Sequence, residues 1–333
     1  MGNLNIVLIS LASLTVLAAC SPETPGNSEL TDTSESSGST ETEETTSTEE
    51  DKLSVVTTFY PVYAFTQEVA GDRADVEMMI SGGTDVHHYE PSARDIALIN
   101  EADMFVYSSP EMETWVDSML ASLDNEDILV VEQAESVELL EALEDTEEGD
   151  HGHEEDDHSH ALDPHVWLDP VLVQNQIETM KEAFIEVDPD NEEEYTQRAE
   201  DYQAELQVLH EEFESVFSEA AQRRFVTQHE AFGYLARRYD LIQMAVGGLS
   251  TEVEVTPSRI AEINHLVEDH AIPVIYYQEG ANSAIAETVA NETGTEIAEL
   301  YSLEFLPQAM QDEELGYIEV MKRNLDALQI SIQ

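Results

Sequence analysis

Eleven histidines punctuate this chain of 333 residues, and five of them fall in the stretch 150–170, DHGHEEDDHSHALDPHVWLDP. His151, His153, His158 and His160 sit among Gly, Ser, Asp and Glu, a composition that cannot build an apolar core and so reads as a solvated loop. His165 differs. Asp163-Pro164 precedes it and Val166-Trp167-Leu168-Asp169-Pro170 follows, so two prolines and an apolar triplet imply a fixed backbone. Neutral imidazole is the commonest protein ligand for zinc, in four-coordinate sites with Zn–N of about 2.0–2.1 Å. Loose imidazoles and carboxylates running into one held imidazole read as a collector of metal ions beside a metal site. The competing reading is a surface loop with incidental histidines. Two other places carry the same chemistry: His87 and His88 in SGGTDVHHYEPS, and His229 in TQHEAF. His210, His265 and His270 fall on predicted helices and read as surface or partly packed residues.

These side chains need elements to hold them. Leu53–Thr58, Val76–Ile80, Met104–Tyr107 and Ile128–Glu132 are apolar, partly β-branched runs that read as strands. Between them, helical spacing covers Tyr60–Gly71, the segment after Ser92 (a ready N-cap) and Glu111–Leu123. A further helix runs from about Val171 to Glu186 and is stopped by Asp188-Pro189. Strand alternating with helix predicts a parallel sheet. Asn191–Ala221 breaks the pattern, with no Gly or Pro and with Tyr195, Tyr202, Leu206, Leu209, Phe213 and Phe217 at three- and four-residue intervals. A helix of that length would span roughly 45 Å, enough for a spine between two lobes.

Alternation then resumes. Arg224–Gln228, Pro273–Tyr277 and Glu296–Leu300 read as strands. Ala231–Tyr239, the segment opened by Thr256-Pro257-Ser258, Ser283–Thr293 and Glu314–Leu328 read as helices. The predicted fold class is α/β: two α/β lobes with parallel-type sheets, joined by one long helix. In open α/β sheets ligands bind beyond the carboxyl ends of the strands. His87 and His88 follow one predicted strand, His229 follows another, and His165 occupies the rigid turn after the His-rich loop. A cleft between the lobes would bring them together, leaving one coordination place for a carboxylate or water. Tyr60, Trp115, Trp167, Met78, Met79 and Met104 read as core.

With 73 acidic and 12 basic residues the formal net charge is −61, and the acids are spread along the whole chain. That excludes nucleic acid as a partner, since phosphate binding needs the opposite sign. Cys20 is the only cysteine, so no intramolecular disulfide can form. Residues 4–19, LNIVLISLASLTVLAA, form an apolar run that is short for a stable membrane span and ends in small residues. Leu17-Ala18-Ala19-Cys20 resembles the bacterial lipobox, whose cysteine is diacylated and becomes the mature N-terminus, although no Lys or Arg precedes the run. Either as a lipid anchor or as an uncleaved membrane anchor, the segment places the body outside the cytoplasm, tethered to membrane. The expected organisation is a lipoprotein signal peptide at 1–19, a lipid-anchored, acidic, disordered linker at 20–52, an N-terminal lobe at 53–189 with its His-rich loop at 150–160, a linking helix at 190–222 and a C-terminal lobe at 223–333.

Four segments carry a resemblance: Gly83–Ser92 (GTDVHHYEPS) followed by RDIALINEADMFVY, Asp163–Pro170 (DPHVWLDP), Thr227–Ala236 (TQHEAFGYLA) and Leu300–Phe305 (LYSLEF). In this order and spacing the chain resembles the zinc-binding lipoproteins of bacterial metal-ion ABC importers, the cluster A-I solute-binding proteins, over essentially all of 53–333. The resemblance implies metal ligands at His87, His165, His229 and Glu304. The family usually has Asp and Trp where His88 and Tyr89 stand, which leaves His88 as a rival to His87. Glu279 in YYQEGANS rivals Glu304, since it also follows a strand. Three nitrogens and one carboxylate suit Zn(II), whereas manganese or iron(II) would favour more oxygen. Manganese-binding relatives also tend to carry Glu at the third position and Asp at the fourth, where this chain has His229 and Glu304.

The function so implied is a monomeric, lipid-anchored receptor that performs no chemistry. It captures Zn(II) and delivers it to an ABC permease driven by its ATPase, with His151, His153, His158 and His160 gathering zinc weakly for the held site. Alternatives are a manganese or iron(II) receptor on the same scaffold, a surface adhesin, and a zinc-dependent hydrolase. The last requires an open coordination position and a general base, and the chain contains neither HExxH nor GxSxG.

Overall fold

The computed structural model describes residues 52–142, 161–249, 255–278 and 282–333. The expected leader with Cys20, the acidic spacer up to residue 51, the His-rich loop (His151, His153, His158, His160) and Glu279 lie outside the described residues.

In the first half, β1 (Leu53–Thr57) leads through α1 (Tyr60–Ala70) to β2 (Ala74–Met78), and α2 (Ala93–Glu101) leads to β3 (Met104–Tyr107). After α3 (Val116–Leu120), β4 (Leu129–Glu132) completes a parallel sheet of order β2-β1-β3-β4. The central strands are apolar runs with little alternation, and β3 is buried along its whole length, as befits a parallel sheet covered on both faces. At the edge strand β2, Met78 and the following Met79 are only half-buried, although both were expected in the core. Tyr60, Met104, Trp115 and Trp167 are buried as expected. Ser92 caps α2 through a reciprocal capping box: its Oγ accepts from Asp95 N at 3.4 Å, and Asp95 Oδ2 accepts from Ser92 N at 2.7 Å.

The helix expected at Glu111–Leu123 shrinks to the five residues of α3. Glu113 explains this. Its buried carboxylate accepts from Ser108 N at 3.0 Å, Ser109 N at 3.0 Å and Thr58 Oγ1 at 2.6 Å, which winds residues 108–115 into turns around it. A short antiparallel ribbon of β5 (Leu140–Glu141) and β6 (Leu162–Asp163), not read from the sequence, delivers the chain to the turn at His165.

Asp169 caps α4 (Pro170–Val187), accepting from Val171 N at 2.9 Å. Then comes α5 (Glu192–Phe217), whose 26 residues extend about 39 Å. The second sheet follows it: β7 (Arg224–Thr227), α6 (Gly233–Arg238), β8 (Ile242–Ala245), α7 (Pro257–His270), β9 (Val274–Tyr277), α8 (Ala284–Thr293) and β10 (Glu296–Glu299), in the parallel order β10-β9-β7-β8. Thr256 caps α7 by accepting from Arg259 N at 3.2 Å. A short α9 (Gln308–Asp312) precedes α10 (Tyr317–Leu328), which starts later than expected because Glu314 takes a left-handed φ of 56° and interrupts the helical path. The strand β8 went unread, since IQMA is four residues long with a glutamine inside it.

Two α/β lobes with a long helix between them in the chain are therefore what the sequence pattern predicted. One apolar core runs through both, containing Phe59 and Phe65, then Phe184, Tyr195 and Phe213 of the long helices, then Tyr276 and Met321. Phe184 stacks on Tyr195 and Phe213 on Tyr239, each with ring centroids 5.1 Å apart. Burying one such ring stabilises by about 1.5–3 kcal/mol, so the spine grips both halves instead of merely tethering them. Among the described residues no helix is long and apolar enough to cross a membrane.

Candidate metal centre

Four side chains from loops that follow strands of both halves converge on one point. His87 comes from the loop after β2, His165 from the turn after β6, His229 from the end of β7 and Glu304 from the segment after β10. His229 Nε2 lies 3.0 Å from Glu304 Oε1 and 3.2 Å from His165 Nε2. Glu304 Oε1 is 3.5 Å from His165 Nε2 and 3.8 Å from His87 Nε2, and all four ligand atoms lie within 4.8 Å of one another. A tetrahedral zinc with Zn–N of about 2.0–2.1 Å has ligand-to-ligand edges of roughly 3.3–3.4 Å. The separations among His165, His229 and Glu304 lie near that edge length, and His87 stands somewhat farther out.

The protonation pattern makes the same point. His165 Nδ1 donates to Asp163 Oδ1 at 2.7 Å, and His229 Nδ1 donates to the Gly248 carbonyl at 3.2 Å. Both rings therefore turn an Nε2 lone pair inward, where the Glu304 carboxylate also offers only lone pairs. His87 Nε2 is buried in the same place without a hydrogen-bond partner. Acceptors facing one another in a dry pocket require a cation or a shared proton between them. His165, His229 and Glu304 are at most 5% exposed.

The titration behaviour follows. Burial disfavours charge on His165, but the hydrogen bonds with Asp163 and Glu304 outweigh it and push the imidazole up to about 9. Burial holds His229 below its ordinary value against the pull of Glu304. Burial would raise Glu304, yet the His165, His229 and His87 rings that face it hold its carboxyl well below the usual range.

Three of the four side chains are braced from behind. Asp163 also accepts from the backbone N of His165 at 2.9 Å, and its carbonyl accepts from Tyr234 Oη at 2.7 Å. Gly233 opens α6 against this carboxylate, and a Cβ there would sit 2.6 Å from Asp163 Oδ2, so the close approach demands glycine. The carbonyl of His229 accepts from Thr227 Oγ1 at 2.7 Å and from Gln243 Nε2 at 3.1 Å. Trp167 Nε1 donates to the Ser302 carbonyl at 2.7 Å, tying the turn that carries His165 to the segment that carries Glu304. Next to Glu304, the buried Leu303 adopts a left-handed φ of 62°, a strained conformation that costs about 1–2 kcal/mol and turns the segment into the cleft.

The structure thus brings together His87, His165, His229 and Glu304. His88 points away, with its side chain 57% exposed and 3.6 Å from Asp85 Oδ2. His210 bonds Tyr239 Oη at 3.2 Å on α5, while His265 and His270 lie on α7, all outside the cluster. Sequence reasoning did not assign the supporting roles of Asp163, Gln243, Gly233 or Gln278, whose Nε2 donates to Glu304 Oε2 at 3.2 Å. Asp163, two residues before a clamped histidine, was the legible one. Gln243 belongs to the unread strand.

Residues 55–330 match the ZnuA family, described as zinc-uptake complex component A, periplasmic. The chain is 41% identical over 282 residues to the high-affinity zinc uptake system protein ZnuA of Bacillus subtilis, covering 85% of this chain and 88% of that protein. It is 42% identical over 279 residues to the zinc-binding lipoprotein AdcA of Streptococcus pneumoniae, covering 84% of this chain but 56% of that longer relative. The crystal structure of the Zn(II)-bound ZnuA-like domain of AdcA is similar with a TM-score of 0.72 at 39% identity, covering 84% of this chain and 98% of that one. The match runs through all four segments that carry the clustered side chains, and the chain belongs to the ZnuA family of periplasmic zinc-uptake components.

Proposed function

We propose that the protein is an extracytoplasmic receptor that captures Zn(II) with His87, His165, His229 and Glu304 and hands it to an ABC permease for uptake. The observation that carries this reading is the buried convergence of three imidazole Nε2 atoms and one carboxylate oxygen within 4.8 Å. Three nitrogens and one oxygen suit zinc. Four protein ligands also complete the tetrahedron, whereas a zinc hydrolase needs a position open to water. The partners are the permease and its ATPase, as membership of a zinc-uptake component family supports. Cys20 carries the lipid anchor, the linker up to residue 52 spaces the folded part from the membrane, and the receptor works as a monomer. His151, His153, His158 and His160 gather zinc weakly and pass it to the buried cluster.

The test is zinc titration by chelator competition of the wild type beside His165→Ala, His88→Ala and a deletion of 150–160. His165→Ala weakens the tight site by more than the ~10–100-fold typical of losing an outer partner. His88→Ala leaves it intact, and the deletion removes only weaker binding. Tight binding that survives His165→Ala would overturn the ligand assignment. Manganese or iron predominating in protein purified without added metal would move the reading to a different cargo.

A further inference from the structure

We propose that Gln278 sets the coordination mode of Glu304 and, through it, the preference of the site for zinc over manganese. This rests on the receptor reading above. Gln278 directly follows β9, is 6% exposed, and donates from Nε2 to Glu304 Oε2 at 3.2 Å. The other carboxylate oxygen, Oε1, is the one that faces the imidazoles, at 3.0 Å from His229, 3.5 Å from His165 and 3.8 Å from His87. A carboxylate that spends one oxygen on an amide N–H and turns the other to the cation is a monodentate ligand.

The orientation of the amide is dictated by chemistry. An ionised carboxylate only accepts, so the NH2 end of Gln278 must face it. The consequence is visible on the far side, where Gln278 Oε1 is buried and finds no partner among the described residues. An unsatisfied buried oxygen is costly, and here it accompanies the hold on Glu304.

The division of oxygens decides coordination number. Three imidazoles and one monodentate carboxylate supply four donors, which is what zinc takes. Manganese favours oxygen-rich, six-coordinate surroundings, and a freed Oε2 would supply a fifth donor of the type it prefers. Gln278 therefore acts as a positioning residue, by withholding that oxygen.

The experiment compares wild type with Gln278→Met, which keeps the chain length and removes the donor. Zn(II) and Mn(II) affinities are measured by chelator competition, the oxygen number around bound zinc by X-ray absorption, and unfolding of the metal-free protein by calorimetry. Zinc affinity is expected to fall about 10–100-fold, the usual scale for an outer partner, with manganese falling less. The zinc-to-manganese ratio therefore drops, the oxygen number around zinc rises, and metal-free melting changes little. Zinc and manganese affinities that shift together, or not at all, would overturn the proposal while leaving the receptor reading intact. A wild type that fails to bind zinc tightly would remove both. Should Gln278→Met not fold, Gln278→Asn decides: it keeps the amide but withdraws it by one methylene, and must lower the same ratio.

Discussion

His165 shows how much chemistry one ring can hold. Its Nδ1 is committed to Asp163, so the free site stores a proton on the Nε2 side, facing Glu304 and His229. With its imidazole pushed up to about 9, that proton is present at neutral pH in the metal-free protein. The folded value lies above the unfolded 6.5, so the charged ring stabilises the metal-free fold fully below about pH 6.5 and loses this contribution as pH climbs through about 9. Zinc runs the other way, because it must expel the proton to reach Nε2. About one proton is released per zinc at pH 7–8, and affinity rises about tenfold per pH unit until it levels near 9. Calorimetric titration in buffers of different ionisation enthalpy measures the release, and an enthalpy independent of buffer would contradict it. His229, kept neutral by burial, adds no proton of its own at that pH.

Secondary-structure elements place the clustered side chains by their ends. β7 terminates at Thr227 and presents His229 two residues on, with Gln243 of the neighbouring strand clasping the His229 carbonyl. The first turn of α6 lies against Asp163, and Gly233→Ala tests that approach directly. A Cβ at 2.6 Å from Asp163 Oδ2 forces the carboxylate, and hence the His165 ring, to shift. The variant should lose roughly 1–3 kcal/mol of stability, as overpacking usually does, and weaken zinc binding about 10–100-fold. Thermal unfolding and chelator competition read the two effects, and unchanged affinity would mean that Asp163 does not aim the ring. Helix caps were legible from Ser92 and Thr256, since a side-chain oxygen before a helical run has one obvious use. The shortened α3 was not, because the buried Glu113 that winds its approach looks like any other acid among 73.

Among the described residues the largest apolar core runs through both lobes and takes in the buried face of α5, and Trp167 and Tyr317 join the halves. Tyr317 Oη donates to the Trp167 carbonyl at 2.6 Å while the Trp167 ring meets Phe59 edge-on at 5.1 Å. Separating the lobes would expose this core, so zinc should enter and leave by local movement of the ligand loops. Small-angle scattering with zinc and with chelator is expected to give the same radius of gyration. A marked contraction with zinc would show hinge closure instead. Zinc should nevertheless raise the melting temperature strongly, because a ligand at a thousand times its Kd adds about 4 kcal/mol to the folded state, and chelator should reverse the shift.

Much of this was determined by local sequence. Strand and helix alternation, the uninterrupted helical spacing of 191–221 and the clamped turn around His165 are short-range patterns, which the chain writes into neighbouring residues. His87, His88, His165 and His229 were legible as candidates because they follow predicted strands or sit in a clamped turn, whereas Glu304 came only from the family resemblance. Tertiary structure alone decided that His87 turns inward while His88 faces solvent, since adjacent residues in an irregular loop have no periodicity to sort them. It alone joined Gln278 to Glu304 and Gly233 to Asp163, contacts between segments distant along the chain that ordinary-looking residues make only once the core has packed.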